Sequence, residues 1–185
     1  MSNALLDLMR EGTRYKWCMT PYCTTCGSLE YRNKLKNLAG PLGGPLANAL
    51  DEIDIDELMR IPRWQDGLLI AVIDLPISMQ VDGVLKAWLP KATQNIRFAD
   101  YVLFKITKHL PRQSDTRRDW INACKTMAVD TKDFSLVESL ILVLGQDAKN
   151  QPELLGIAAD FARTSSQMRR VLLNAGALKN RVQHF

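Results

Sequence analysis

Apolar residues recur at a spacing close to 3.6 along nearly the whole chain after residue 45. This is the period of an α-helix with one buried face, and it constrains the fold more than any other feature of the sequence. Ser114, Asp133 and either Asn150 or Gln151 stand near the predicted N-termini of three of these helices. The predicted helices of this region cover residues 45–51, 54–60, 62–74, 78–88, 95–109, 115–128, 134–145, 152–163 and 166–182.

The segment before residue 45 has a different pattern. Helices are predicted at 3–11 and 28–38, but the stretch between them is too rich in Thr, Pro and Gly to be regular. The run GPLGGP that starts at Gly40 is the strongest signal for a break in helical structure along the chain. We therefore expect an N-terminal module over residues 1–40 and a helical body over 45–185, although the two could form one compact unit.

From residue 62 onward, helices of 11 to 15 residues alternate with turns of three to six. This rhythm predicts an all-α fold, either a helical bundle or a short α-solenoid. Composition would also allow a buried strand at 68–73, but the helical neighbours disfavour it. The segment SLVESLILVLGQDA resembles the second helix of a HEAT-type repeat and covers about one repeat, which implies a fold class and a tendency toward binding surfaces. The residues that carry this resemblance are Val137, Leu140, Val143, Leu144 and Gly145.

The composition is that of a folded protein with its own core, with 46% apolar and 24% charged residues. No run approaches the roughly 20 apolar residues of a membrane span. The first residues lack the basic and apolar regions of a secretory signal. We therefore expect a cytoplasmic protein with no membrane partner, and in that reducing compartment its four cysteines do not predict a disulfide framework.

Three cysteines are clustered as Cys18-x4-Cys23-x2-Cys26, followed by Gly27. A C-x-x-C pair lets two thiolates point at one ion across a tight turn, and Cys18 can supply a third ligand. The predicted helix after Gly27 would place its positive end beside the thiolates. The cluster therefore predicts a small N-terminal metal-binding module.

Three ligands do not complete such a site, because structural zinc takes four. Cys124 ranks first as the fourth ligand, His109 second and His184 third. For Cys124 the competing interpretation is a buried apolar cysteine, since Trp120 and other apolar residues surround it on its predicted helix.

Zinc is the favoured metal and an iron–sulfur cluster is the alternative. The spacing also resembles the first three ligands of plant-type ferredoxins, but that family needs a strand-rich fold and a fourth cysteine much closer than Cys124. Three thiols without a metal are the remaining interpretation. A thioredoxin-like redox motif would require a βαβ pattern, which the sequence does not show.

The net charge of +4 is unevenly distributed. Residues 10–36 hold six cations against two acids with aromatics among them, whereas 51–57 carry five acids. Cations can hold phosphates while Tyr22 or Tyr31 stacks on bases. The acids at 51–57 and the basic residues at 105–118 and 163–181 are interpreted as solvated faces. The predicted phosphate contacts are Arg14, Lys16, Arg32, Lys34 and Lys36.

No complete catalytic signature is present, so the sequence does not predict an enzyme. The first hypothesis is a metal-stabilised binding module that engages nucleic acid or a nucleoprotein complex. The second is an adaptor or inhibitor that binds a protein partner in a helical groove. The third is an iron–sulfur or thiol redox sensor.

Overall fold

The structure is a computed structural model that describes residues 3–12, 28–40, 44–73 and 78–177. Within these ranges the chain is helical and contains no strand, which confirms the all-α prediction. The strand alternative at 68–73 is wrong, because these residues lie in a helix. No helix in these ranges is long and apolar enough to cross a membrane.

The chain forms two compact units, Met1–Lys91 and Ala92–Phe185. In the first, the N-terminal unit, α2 and α3 contact each other although they lie on either side of the predicted boundary at 40–45. That boundary stays a prediction. The helices of this unit are α1 (Ala4–Gly12), α2 (Ser28–Ala39), α3 (Gly44–Asp51), α4 (Ile55–Met59), α5 (Trp64–Ile73) and α6 (Ser78–Ala92), which ends one residue past the division.

Two buried aromatic residues tie the helices of the N-terminal unit together. The Tyr31 hydroxyl donates to the Gly67 carbonyl at 3.1 Å, and the Trp88 indole donates to the Leu50 carbonyl at 2.6 Å. Each ring is buried as an apolar body while its polar tip is satisfied. The structure therefore overturns the interpretation of Tyr31 as a base-stacking residue, since its side chain is only 2% exposed.

Helix α6 does not end at residue 88 as predicted but continues through Pro90 to Ala92. The Lys91 ammonium donates to the carbonyls of Asp51 at 2.7 Å and Ile53 at 3.1 Å. These bonds, with the Trp88 bond one turn earlier, hold the last turn in place. They offset the backbone hydrogen bond that proline removes.

The C-terminal unit is built around α9, which contacts every other α-helix of that unit. Its sequence is apolar almost all round, and a helix of that kind is buried by its neighbours. Its N-terminus is capped by Asp133, whose carboxylate accepts from the Leu136 amide at 2.9 Å. The α-helices of this unit are α7 (Ile96–Tyr101), α8 (Asp115–Thr131), α9 (Phe134–Leu144), α10 (Pro152–Thr164) and α11 (Ser166–Asn174).

The predicted helix 95–109 is helical, but its hydrogen-bond pattern changes along its length. After α7 it widens into a π-helical turn at Val102–Ile106 and tightens into a 3-10 turn at Thr107–His109. The buried Thr107 hydroxyl donates to the Leu103 carbonyl. That side-chain bond gives the widened turn a partner which the backbone pattern alone does not supply.

The prediction of one helix over 166–182 is wrong within the described residues, because α11 ends at Asn174. Gly176 adopts a left-handed conformation, with φ +64°. The amides of Gly176 and Ala177 bond back to the carbonyls of Leu173 and Leu172, both at 2.9 Å. This is a Schellman stop signal, which glycine forms without steric cost.

Candidate polyanion-binding surface

The predicted metal cluster of Cys18, Cys23 and Cys26 lies outside the described residues. Within the described ranges, no group of three or more His, Cys, Asp or Glu side chains is placed to hold a metal ion. The metal centre, and zinc or an iron–sulfur cluster as its content, therefore stays a prediction.

Cys124, the first-ranked fourth ligand, is a free cysteine of α8 with only 1% of its surface exposed. Burial, with a smaller effect of the negative charge of Asp100, raises the pKa of its thiol to about 12. Metal ligation requires the thiolate, and this environment stabilises the neutral thiol. The surroundings thus favour the buried apolar interpretation, while the ligand role stays a prediction. The other two candidates are less defined, since only the backbone of His109 is described and His184 lies outside the described residues.

Of the five predicted phosphate contacts, Arg14 and Lys16 lie outside the described ranges, and α2 carries Arg32, Lys34 and Lys36. Lys34 is already engaged, because its ammonium lies 2.6 Å from a Glu11 carboxylate oxygen and 3.2 Å from one of Glu30. The hydrogen bond to Glu11 raises the pKa of Lys34. Arg32 is half-buried, whereas Lys36 is exposed and makes no ion pair with a described residue.

Ion pairing of this kind extends across the N-terminal unit, whose sequence holds 10 Lys and Arg against 11 Asp and Glu. Arg10 bonds to Asp7 and Glu57 at 3.0 and 3.1 Å. Two further ion pairs between described residues of this unit are Arg63–Asp66 and Lys86–Asp82.

The C-terminal unit has the opposite balance, with 14 Lys and Arg against 9 Asp and Glu. Of its twelve described cations only Arg118 and Arg163 form ion pairs with described residues, at 2.7 Å to Asp115 and 3.6 Å to Asp160. The ten others make none, and these are Arg97, Lys105, Lys108, Arg112, Arg117, Lys125, Lys132, Lys149, Arg169 and Arg170.

Helix α8 carries part of this charge. Arg118 and Lys125 are seven residues apart, which is two helical turns or about 10.5 Å along the axis, and Lys132 caps the C-terminus of the helix in a left-handed conformation. We call these three residues the α8 cation row. The buried face recurs at Thr116, Trp120, Cys124 and Ala128. On a helical projection Arg118 and Lys125 lie to one side of this face, while Asp119 and Asp130 lie to the other.

An exposed aromatic residue stands among the cations of the π-helical turn. Phe104 is 36% exposed, and the Lys105 ammonium lies 4.8 Å from its ring centroid. This cation–π contact lies at the surface. The exposed Lys108 follows Lys105 by three residues.

The sequence interpretation gave this basic region to a solvated face and did not single out Lys125 or Lys132. The repeat of cations every seven residues, at Arg118, Lys125 and Lys132, was the available signal. The sequence does not show which cations are ion-paired, because the partner can be an acid far away in the chain, as Glu11 is for Lys34.

Comparison of the chain with protein-family models, with characterised proteins and with solved structures found no match, so the HEAT-type resemblance stays a prediction.

Proposed function

We propose that this protein is a non-catalytic module that binds nucleic acid, with its main phosphate-contacting surface on the C-terminal unit. The observation that carries the proposal is the set of ten cations there without an ion pair to any described residue. A cation that binds a phosphate releases the counterions of the nucleic acid, and this release supplies most of the sequence-independent affinity. A cation already held by a carboxylate must first give up that partner.

The dimensions of the α8 cation row support the same proposal. From Arg118 to its end at Thr131, where Lys132 caps it, α8 rises about 20 Å along its axis. Duplex DNA carries one negative charge per about 1.7 Å, so a surface of this length faces several phosphates at once. In this proposal the predicted metal module of Cys18, Cys23 and Cys26 has a structural role, with zinc as its metal.

The test compares two double variants with the same loss of charge. The first removes the two members of the row without an ion pair to a described residue as Lys125→Gln and Lys132→Asn, where asparagine suits the left-handed φ of 51° at position 132. The second removes two ion-paired cations of the N-terminal unit as Lys34→Gln and Lys86→Gln.

The readout is the slope of log affinity against log salt for a generic DNA duplex. The row variant should lower this slope by about two, because about 0.9 counterions are released per phosphate contact. The matched variant should leave it nearly unchanged. Equal effects of the two variants, or no affinity of the parent protein for DNA or RNA at physiological salt, would contradict the proposal.

A second candidate function is an adaptor that binds an acidic protein. It is supported by two large apolar side chains exposed in the C-terminal unit, Leu142 at 43% and Leu173 at 41%. Apolar contacts beside free cations suit a protein surface that carries both acids and apolar residues. Under this alternative the parent protein shows no nucleic-acid affinity, and replacing Leu142 and Leu173 with serine abolishes capture of the partner.

A further inference from the structure

A cleft of about 540 Å³ opens in the C-terminal unit beside the start of α8. Its size falls in the range of roughly 300–1,000 Å³ that is typical of small-molecule sites. One wall comes from the turn before α8 and the first turns of that helix. The other comes from the end of α9 and the 3-10 turn Gly145–Asn150 that follows it.

The first wall carries two guanidinium groups. Arg112 sits in a turn closed by the Ser114 amide and the Pro111 carbonyl at 3.0 Å, and its exposed side chain makes no ion pair with a described residue. Arg117 is half-buried and makes a long hydrogen bond to the Leu110 carbonyl at 3.5 Å. Two arginines on one wall match the planar, multiply accepting geometry of a phosphate.

The opposite wall offers apolar contact and hydrogen-bond acceptors. Leu142 is 43% exposed on this wall, and Ile121 of α8 adds an apolar side chain to the lining. Gly145 has φ +55° and no side chain, which leaves the space beside it open. The carboxylate of Asp147 lines the same wall and forms no ion pair with Arg112 or Arg117.

Charges of both signs therefore line one cleft without neutralising each other. The complementary ligand carries an anion for the arginines, a flat apolar body for Leu142, and N–H donors for Asp147. A nucleotide whose base has an exocyclic amino group combines all three, and a carboxylate side chain is a recognised acceptor for the amino group of cytosine. A base that is stacked and paired in a duplex cannot be placed between the two walls of a cleft, so the base has to be unpaired to enter.

We infer that this cleft binds one unpaired, amino-bearing nucleotide of a single-stranded nucleic acid, with its phosphate at Arg112 and Arg117 and its base between Leu142 and Asp147. This inference rests on the proposed function. It adds a preference for single strands and for bases with an amino group, whereas the α8 cation row distinguishes neither.

The experiment measures the affinity of the full chain for short oligodeoxycytidylate, for oligothymidylate of equal length and for a duplex, at one salt concentration. Thymine matches cytosine in size but has no exocyclic amino group. The parent should bind the cytidine strand about five- to tenfold more tightly than the thymidine strand, which is the lower end of the range for one good base contact. It should bind both strands more tightly than the duplex.

Two variants assign the effect to the cleft. Asp147→Asn should remove the preference for cytidine over thymidine while keeping affinity for both strands. Arg112→Gln should weaken both single strands alike, and Lys149→Gln, an exposed cation of the same 3-10 turn that does not line the cleft, is its charge-matched control.

The outcomes separate this inference from the proposed function. Salt-dependent binding without any preference among the three ligands overturns the inference and leaves the proposed function standing. The same holds if Arg112→Gln only lowers the melting temperature, since the arginines would then merely complement the negative end of α9. No binding to any of the three ligands overturns both.

Discussion

The two units of this chain use their cations in different ways. In the N-terminal unit, at least four of the eight described cations are held by carboxylates, Arg10 and Lys34 by two each and Arg63 and Lys86 by one each. In the C-terminal unit, ten of the twelve described cations have no ion pair with a described residue. The comparison teaches that a local count of basic residues does not identify a polyanion-binding surface. What matters is whether each cation still lacks a partner after folding.

The largest expected effect comes from the N-terminal cysteines. If they hold structural zinc, Cys23→Ser and Cys26→Ser should each lose the metal and lower the free energy of unfolding by several kcal/mol, because metal binding contributes folding energy. Metal analysis of protein purified without oxygen, followed by thermal unfolding, measures this. In that case a bound metal stabilises the N-terminal unit, whereas the C-terminal unit supplies the cations for phosphate contacts.

Cys124→Ala is the control for that experiment. Loss of metal in this variant would establish Cys124 as the fourth ligand, whereas retention is what its burial favours. If both serine variants keep the melting temperature of the parent and a chelator changes nothing, the cluster is not structural.

The thiol of Cys124 also predicts a pH dependence in the C-terminal unit. Its pKa is raised from 9.0 to about 12 in the folded state, so the unfolded state loses the proton first. This contribution to stability is therefore intact below about pH 9 and falls by about 1.4 kcal/mol per pH unit as the pH rises toward 12. Denaturant unfolding of the parent and of Cys124→Ala across this window measures it. Parallel stability profiles of the two proteins would show that the thiol does not ionise in this way.

Gly145, where α9 ends beside the cleft, should be sensitive to any side chain. Its φ of 55° and ψ of −125° lie where L residues are strained, although a Cβ there would meet no atom within 4 Å. Gly145→Ala should therefore cost about 1–3 kcal/mol of unfolding free energy. Gly156→Ala is the matched control, because Gly156 is exposed inside α10 with equally open space and alanine there should stabilise by about 0.5–1 kcal/mol. Equal effects of the two substitutions would refute this account of the α9 end.

The smallest effect tests the comparison directly by freeing a cation. Glu11→Gln with Glu30→Gln removes both partners of Lys34. The salt slope of DNA binding should rise by about 0.9 if the freed ammonium then reaches a phosphate. Glu52→Gln with Asp56→Asn removes two exposed acids of the same unit that hold no described cation, and it should leave the slope unchanged. A rise of the same size in both variants would mean that only net charge matters.

Much of the fold could be predicted because its signals are local. Gln151 stands at the N-terminus of α10 but makes no side-chain cap hydrogen bond. The caps at Ser114 and Asp133 are confirmed, as their side-chain oxygens accept from the amides of Arg117 and Leu136. Both depend on residues three positions apart. The predicted ends at 88 and 182 are wrong for opposite reasons. Lys91 extends α6 through bonds to α3 and the residues after it, and Gly176 stops α11 despite a continuing apolar pattern.

Less of the candidate site could be predicted. The sequence shows that Cys124 has apolar neighbours on its own helix. It does not show how deeply Cys124 is buried, because that depends on helices from elsewhere in the chain that pack against α8. The cations of residues 10–36 can be counted from the sequence, but the partner of Lys34 lies 23 residues away in α1. The cleft has no sequence signature, because α8 and the end of α9 form its walls from separate segments.

The sequence by itself determined the helical class, most helix starts and the apolar faces, since these depend on a 3.6-residue period and on caps within one turn. Only the tertiary structure decided which cations are neutralised, that Tyr31 is buried, and that arginines and a carboxylate share a cleft without pairing. The physical reason is distance along the chain. A helix is specified by neighbours three or four residues apart, whereas an ion pair or a cleft is specified by which helix faces meet after folding.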